Sequence, residues 1–457
     1  MAVAASSSLR ISQVGLRGVV GGGLTAAHVL DFASAFGTFL EPGKGVIIGR
    51  DPRASGIMIR EGVVAALLAC GANVIDLGIM PTPVIQHTIR RTDAAGGISI
   101  GASHNGAEWN ALKFFGRNAT YLSTAEANEL LDIYHMKKFS FVEWNQLGKL
   151  RTEPNALDPY LDELAAVFDF AGLRQFRVVV DCCSGTSSLI LRRMNERFGL
   201  KIILINEKMQ GVAFAHEPAT NRDMVALQLA PLMKPLSADA GFLFDADSDR
   251  VAFATEEGTP VSEEMVLPLL ADYLLPRGSG KLVITNCSTT ALVDEIAARH
   301  SGEVVRVAVG RQAAIDALSI YRPEQIALAG EGTGAIMMPQ FRFVYDGIAA
   351  MLAVLSMMRE RNAKLSAILA SYPKYSILKG TVPLVTHRIP ALLAAMRGRY
   401  QDGSASVVDG LRVDWPDRWF HVRVSQTEPV VRIICEQRGE APRELYESLV
   451  EQVRSFA

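Results

Sequence analysis

Ser103 stands in the run Gly101-Ala102-Ser103-His104-Asn105, directly after the strand-like Gly97-Ile98-Ser99-Ile100, with Asn110 and Lys113 close behind. A serine hydroxyl is a weak nucleophile until a neighbour takes its proton or steadies its developing charge. His104 and Lys113 are the nearby groups able to relay protons. Three more clusters follow in order. Asp245, Asp247 and Asp249 alternate in Asp245-Ala246-Asp247-Ser248-Asp249-Arg250, at the end of an apolar run. Three carboxylates converging there make an oxygen-rich set suited to a hard cation such as Mg2+. Gly330-Glu331-Gly332-Thr333-Gly334 presents a single carboxylate on a glycine-rich loop, and a carboxylate accepts hydrogen bonds from two neighbouring sugar hydroxyls. Arg423, Ser425, Thr427 and Arg432 gather around a turn between two strand-like runs. Their hydroxyls and guanidinium forks are what a phosphate dianion requires. Nucleophile, metal loop, polyol-binding carboxylate and phosphate clamp together point to phosphoryl transfer on a sugar phosphate.

Each cluster has a plainer counterpart. Ser-His-Asn alone fits a polar strand-to-helix turn with a satisfied histidine, and the G-x-S-x-G esterase elbow fails because Asn105 replaces its last glycine. An EF-hand loop would use Glu256 at its twelfth position but needs glycine where Arg250 stands, and strand-like runs flank the loop. The alternating aspartates also suit an aspartyl-phosphate phosphatase with Asp245 as nucleophile, or a solvated acidic turn. The glycines of 330–334 miss the dinucleotide spacing, since the third comes one residue early. A hairpin with exposed arginines is the bland version of the clamp.

The elements that must position these loops alternate between buried strands and helices. Gly45–Gly49 and Asn73–Leu77 read as strands separated by a helix over 57–69, and Pro81-Thr82-Pro83 interrupts the chain before another helix over 84–91. The pattern restarts at Phe176–Asp181, continues through Lys201–Ile205 and Ala240–Phe244, and restarts again at Lys281–Thr285. Strands spaced by helices of about a dozen residues imply largely parallel sheets. From 371 onward a helix over 389–400, short alternating strands and a final helix over 442–456 read as a small α+β domain. The expected boundaries are 1–145 with the serine loop, 146–254 with the aspartate loop, 255–370 with the glutamate loop and 371–457 with the clamp. The fold class is therefore α/β: three similar α/β domains with mixed, largely parallel sheets plus a smaller C-terminal α+β domain.

Bulk properties narrow the partners. Of 457 residues, 49% are hydrophobic and 21% charged, with a formal net charge of −2. No global basic field recruits nucleic acid. Five scattered cysteines without a CxxC pair support neither a zinc site nor a disulfide framework. The first ten residues lack the apolar core of a signal peptide, and no run of about 18 apolar residues suggests a membrane span. A reduced cytoplasmic protein, monomeric or homodimeric, with a small-molecule substrate is the expectation.

Four loops in this order resemble the α-D-phosphohexomutase superfamily, whose motifs are T-A-S-H-N-P, D-G-D-x-D-R, G-E-x-S-G-H and R-x-S-G-T-E-P. Gly15-Leu16-Arg17-Gly18, Leu24-Thr25, Gly49-Arg50-Asp51-Pro52-Arg53 and Asp76-Leu77-Gly78-Ile79-Met80-Pro81-Thr82-Pro83 extend the resemblance over nearly the whole chain. It implies four domains around a central cleft and a phosphoserine at Ser103. That phosphate passes to the substrate, a sugar 1,6-bisphosphate reorients, and its other phosphate returns to the serine. Phosphate thus moves between O6 and O1. The resemblance further implies Mg2+ on Asp245, Asp247, Asp249 and the Ser103 phosphate. Arg17, Lys113 and Arg250 would stabilise charge or move protons. Glu331 and Thr333 would meet the sugar. Arg423, Ser425, Gln426, Thr427 and Arg432 would hold phosphate. Apart from the resemblance, Arg311 in Val309-Gly310-Arg311 is a basic residue that could reach the substrate phosphate. Several positions depart from the pattern: Gly106 follows Ser-His-Asn in place of proline, Ala246 stands where glycine is usual, Gln426 where glycine or asparagine is usual, and Thr333 and Ala335 replace serine and histidine. Glu108-Trp109-Asn110-Ala111-Leu112-Lys113 with the G-E-G-x-G loop looks more like archaeal-type phosphoglucosamine and phosphomannose mutases. Glucosamine 6-phosphate is the favoured substrate. Glucose or mannose phosphates, a Mg2+-dependent sugar phosphatase and a silent sugar-phosphate-binding protein are the alternatives.

Overall fold

Val46, Ile47 and Ile48 are wholly buried, as are Val179 and Val180. Continuous apolar runs of this kind belong to strands covered on both faces. The computed structural model describes residues 9–41, 43–339, 341–384, 386–425 and 430–456. Its chain divides into two compact units, 1–266 with 333–366 and 267–332 with 367–457.

The first unit carries two sheets. The larger runs in the order Arg10–Ser12, Gly15–Val19, Trp109–Gly116, Ala94–Ile100, Gly45–Arg50, Asn73–Ile79, Leu150–Thr152. Ala94–Ile100, Gly45–Arg50, Asn73–Ile79 and Leu150–Thr152 run parallel, while Trp109–Gly116 is antiparallel to both Ala94–Ile100 and Gly15–Val19. The turn bearing Ser103 thus leads from a strand into another strand rather than a helix. That return places Lys113 opposite Ser99 in register. Phe32, Phe36, Phe114 and Tyr134 pack between the helices Ala26–Phe39 and Thr124–Met136 and this sheet. The second sheet pairs Ala240–Phe244, Arg177–Asp181 and Lys201–Ile205 in parallel, with Val251–Thr255 antiparallel at the edge. Open α/β sheets present their chemistry at the carboxyl ends of such strands. The aspartate loop leaves Ala240–Phe244 at that end. The helix expected over 84–91 in fact starts at Thr82, with Pro83 in its first turn. A proline is tolerated there because no intrahelical bond needs its N–H.

The second unit contains a parallel set, Glu303–Val307, Leu282–Asn286 and Ile326–Gly330. It also holds an antiparallel sheet of Tyr375–Pro383, Val430–Arg438, Arg418–Val424, Leu411–Asp414 and Ser404–Ser406. The helices Ile389–Arg399 and Arg443–Ser455 pack over that sheet through Leu392, Met396, Leu449 and Val453. Among the described residues, no helix is long and apolar enough to cross a membrane.

Candidate active site

Gly101 opens the serine turn for a steric reason: a Cβ there would lie 2.6 Å from the Asp51 carboxylate. That carboxylate pairs with Arg53, and both side chains are buried. Arg53 then holds the turn by its backbone. One terminal nitrogen donates to the carbonyls of Ser103 (3.0 Å) and Asn105 (2.8 Å), the other to those of Gly106 (2.8 Å) and Trp109 (3.2 Å). A planar fork with five donors is suited to this task. The turn is pinned with Ser103 at φ +51°, a left-handed conformation rare for a residue with a Cβ. Arg17 adds a bond to the Asn105 side chain at 2.9 Å.

Ser103 Oγ donates to Asp245 Oδ2 at 2.5 Å, joining the serine turn to the aspartate loop. Lys113 Nζ contacts Asp247 Oδ2 and lies 3.4 Å from Asp249. Thr82 fixes the same carboxylate, its hydroxyl donating to Asp247 Oδ2 at 2.7 Å and its N–H to the Asp247 carbonyl at 3.0 Å. Arg250 approaches Asp249 at 3.9 Å, and its N–H donates to Asp245 Oδ1 at 3.3 Å. Gly185 lets the loop after Arg177–Asp181 support the aspartates, because a Cβ there would lie 2.8 Å from the Ala246 carbonyl.

Asp245, Asp247 and Asp249 are fully buried, and each offers a ligand oxygen within 4.8 Å of the others. Burial, followed by the charges of Asp249 and Asp247, pushes the Asp245 carboxyl well above its usual range. Asp247 Oδ1 is buried without a hydrogen-bond partner among the described residues. An acceptor-only oxygen set under mutual repulsion fits a hard divalent cation.

The other candidates lie in two places. His104 is half-buried in the serine turn. The unit division falls inside the glutamate loop, so Thr333 belongs to the first unit and Glu331 to the second. Gly334 has φ +79°, and a Cβ there would sit 2.2 Å from the Val251 carbonyl. The third glycine of that loop therefore serves packing on Val251–Thr255. In the second unit, Glu331, Arg423 and Ser425 are buried, and Arg311 begins the helix Arg311–Ile320. Arg423 and Arg432 are register partners on adjacent strands. Like charges directly opposite are destabilising, and Asp409, 3.9 Å from Arg423, offsets part of that repulsion. Gln426 and Thr427 lie outside the described residues.

Next to Arg423, His421 is wholly buried. Its Nε2 lies 2.5 Å from the Asp409 carbonyl, and its Nδ1 lies 2.9 Å from Ser288 Oγ. A carbonyl only accepts, so Nε2 carries the proton and Nδ1 accepts from the serine. Burial, with Arg412 and Arg423 nearby, lowers His421 to about 4 against the opposing pull of Asp409. A depressed pKa makes the unfolded chain bind the proton more readily as pH falls below about 6.5. Stability present above that pH is therefore lost on the way down to about 4. Between pH 7 and 5 this group should cost about 2 kcal/mol. Urea unfolding at both pH values checks it: His421→Gln should show a smaller loss than wild type, and an equal loss would refute the assignment.

Arg53, Asp51 and Thr82 join the site only through the fold. The available signal was an Asp-Pro-Arg turn directly after a buried strand, and a Thr-Pro pair opening a helix.

The same architecture is found in known proteins. Sequence models of phosphoglucomutase/phosphomannomutase alpha/beta/alpha domains I, II and III match residues 10–141, 158–258 and 262–375. A probable phosphoglucosamine mutase of Pyrococcus abyssi is 33% identical, over 95% of this chain and 96% of its own. A phosphoglucomutase/phosphomannomutase of Thermococcus kodakarensis is 31% identical, over 93% and 94%. The crystal structure of a phosphoglucomutase/phosphomannomutase family protein from Burkholderia thailandensis superposes with a TM-score of 0.85 at 24% identity, covering 98% of this chain and 97% of the other. Serine turn, aspartate triad and three matched α/β domains agree: the chain belongs to the phosphoglucomutase/phosphomannomutase family of phosphosugar mutases.

Proposed function

We propose that this mutase interconverts glucosamine 6-phosphate and glucosamine 1-phosphate through a phosphoserine at Ser103 and a glucosamine 1,6-bisphosphate intermediate. The hydrogen bond from Ser103 Oγ to Asp245 carries the reading, because it puts a nucleophilic oxygen directly on a cation-ready carboxylate. Mg2+ held by Asp245, Asp247 and Asp249 would neutralise charge on the serine phosphate. Lys113 contacts Asp247 and lies 3.4 Å from Asp249, so its ammonium would offset charge among the aspartates. In the forward half-reaction the phosphorus–Oγ bond breaks as a sugar hydroxyl bonds to phosphorus. The hydroxyl's proton passes by way of Lys113 or His104 to the departing Ser103 oxygen, so the half-reaction ends with a serine hydroxyl and the sugar bisphosphate. Glu331 would accept from sugar hydroxyls, and Arg423, Ser425, Gln426, Thr427 and Arg432, with Arg311, would hold the phosphate that is not reacting. Four domains, 1–145, 146–254, 255–370 and 371–457, and a cytoplasmic location belong to this reading. The amino sugar is favoured by the glutamate loop, where Ala335 stands in place of histidine, and by the Pyrococcus relative.

The deciding experiment is 31P NMR with Mg2+, a trace of sugar 1,6-bisphosphate and, in parallel, the 6-phosphates of glucosamine, glucose and mannose. A 1-phosphate resonance that appears fastest with glucosamine is expected. Faster turnover of mannose or glucose phosphate would move the assignment to the activity named for the Thermococcus relative, and free phosphate alone would point to a phosphatase using Asp245.

Chelation should reduce turnover by at least about a hundredfold, with recovery on adding Mg2+. A second readout is thermal: Mg2+ at about a hundred times its Kd should stabilise the fold by about 2.7 kcal/mol. Asp247→Asn should shrink that gain. An unchanged melting shift in this variant would remove Asp247 from the ligand set.

A further inference from the structure

Arg423 and Arg432 face each other across two strands, and the structure surrounds them with compensating charge of an unusual kind. Asp409 Oδ2 lies 3.9 Å from Arg423 Nε, close enough for charge attraction but too far for a hydrogen bond. The same oxygen is already committed, accepting the Val309 N–H at 2.9 Å. The Asp409 carbonyl is fixed from the other side by His421, itself tied to Ser288. Gly410, at φ +71°, lets the turn press against the clamp: a Cβ there would sit 2.9 Å from the Arg423 Cα. Asp409 therefore cannot swing in to capture the guanidinium. Arg423 Nε, buried, makes no hydrogen bond among the described residues. Burial and Arg432 both act against the charge on Arg423, while Asp409 and Glu331 support it.

We infer that Asp409 is a built-in counter-ion of the phosphate clamp, held at a fixed distance so that it balances Arg423 while leaving the Nε–H to the ligand, Nη1 being already donated to the Val424 carbonyl. Asp409 and Glu331 thus offset, at Arg423, the repulsion from Arg432. An arriving phosphate dianion must then bind against Asp409 as well as toward the arginines, so the clamp is deliberately weak. Weakness has a use in the reaction proposed above, on which this inference rests. A bisphosphate intermediate has to leave the clamp by one phosphate and return by the other, and a clamp without a competing carboxylate would retain it.

The test is the affinity of the full-length protein for inorganic phosphate, measured by calorimetry, together with steady-state kinetics. Asp409→Asn keeps an acceptor for Val309 and removes the charge. It should bind phosphate about tenfold more tightly, with KM for the sugar phosphate and kcat both falling. Asp409→Glu should return both toward wild type. A merely structural role would instead raise KM, so unchanged or weakened phosphate binding in Asp409→Asn, with Asp409→Glu no closer to wild type, overturns the inference. Arg423→Met separates the two levels. Phosphate binding that is present in wild type and lost in Arg423→Met establishes the clamp whatever Asp409 does. Wild-type protein that binds no phosphate overturns the clamp and Asp409's role together.

Discussion

Alanine at position 103 should lower kcat by at least about a thousandfold while leaving a folded protein. The turn is held by Arg53 through main-chain carbonyls, none of which the substitution touches. The direct loss is the hydrogen bond to Asp245, whose buried Oδ2 would keep no donor from the serine. That should cost about 1–2 kcal/mol, recoverable in part when Mg2+ binds. Alanine accepts the φ of +51° no worse than serine does. Threonine is a different matter, because a β-branched residue is poorly tolerated in the left-handed region, so Ser103→Thr should not restore activity despite its hydroxyl. The checks are turnover, urea unfolding and an intact mass showing whether a phosphoryl group remains. A Ser103→Ala protein that still releases free phosphate from a sugar 1-phosphate would displace the serine route in favour of attack by Asp245.

Much of this site was readable before any coordinates. The aspartates alternate at the end of an apolar strand, and strand-end carboxylates point the same way in space as in sequence. The serine turn likewise follows a strand of buried apolar residues. What could not be read is the meeting of the two, since Ser103 and Asp245 are 142 positions apart and no local pattern specifies their approach. Arg53 was hidden for another reason. Arginine is a surface residue by default, and only the fold reveals four carbonyls converging on one guanidinium. Tyr375–Pro383 escaped because its residues are mostly half-exposed and do not alternate cleanly, so the period-2 signal of a strand is missing. The glutamate loop hides a different demand: Gly334 is required by the close approach of Val251, a packing constraint that its spacing in the sequence does not reveal.

Arg53→Met should be among the most damaging single changes to both stability and turnover. The Asp51–Arg53 pair is buried, and Asp51 also accepts the Arg53 N–H at 3.1 Å. Burial already pushes the Asp51 carboxyl upward, and Arg53 is the chief influence holding it down. Removing one partner of a buried pair costs about 3–5 kcal/mol, and the four carbonyls add to the unmet demand. Lysine cannot substitute, because an ammonium has no planar fork to span carbonyls on both sides. With the serine turn released, Ser103 Oγ loses its fixed distance from Asp245, and a misplacement on the order of 1 Å costs about a hundredfold in rate. Stability and positioning can be separated with the double variant Asp51→Asn, Arg53→Met. It removes the stranded charge and should regain part of the lost unfolding free energy in urea, while kcat stays low because the turn is still unheld. Full recovery of kcat in the double variant, or wild-type kcat in Arg53→Lys, would show that the serine turn keeps its shape without the guanidinium, and the positioning argument would fall.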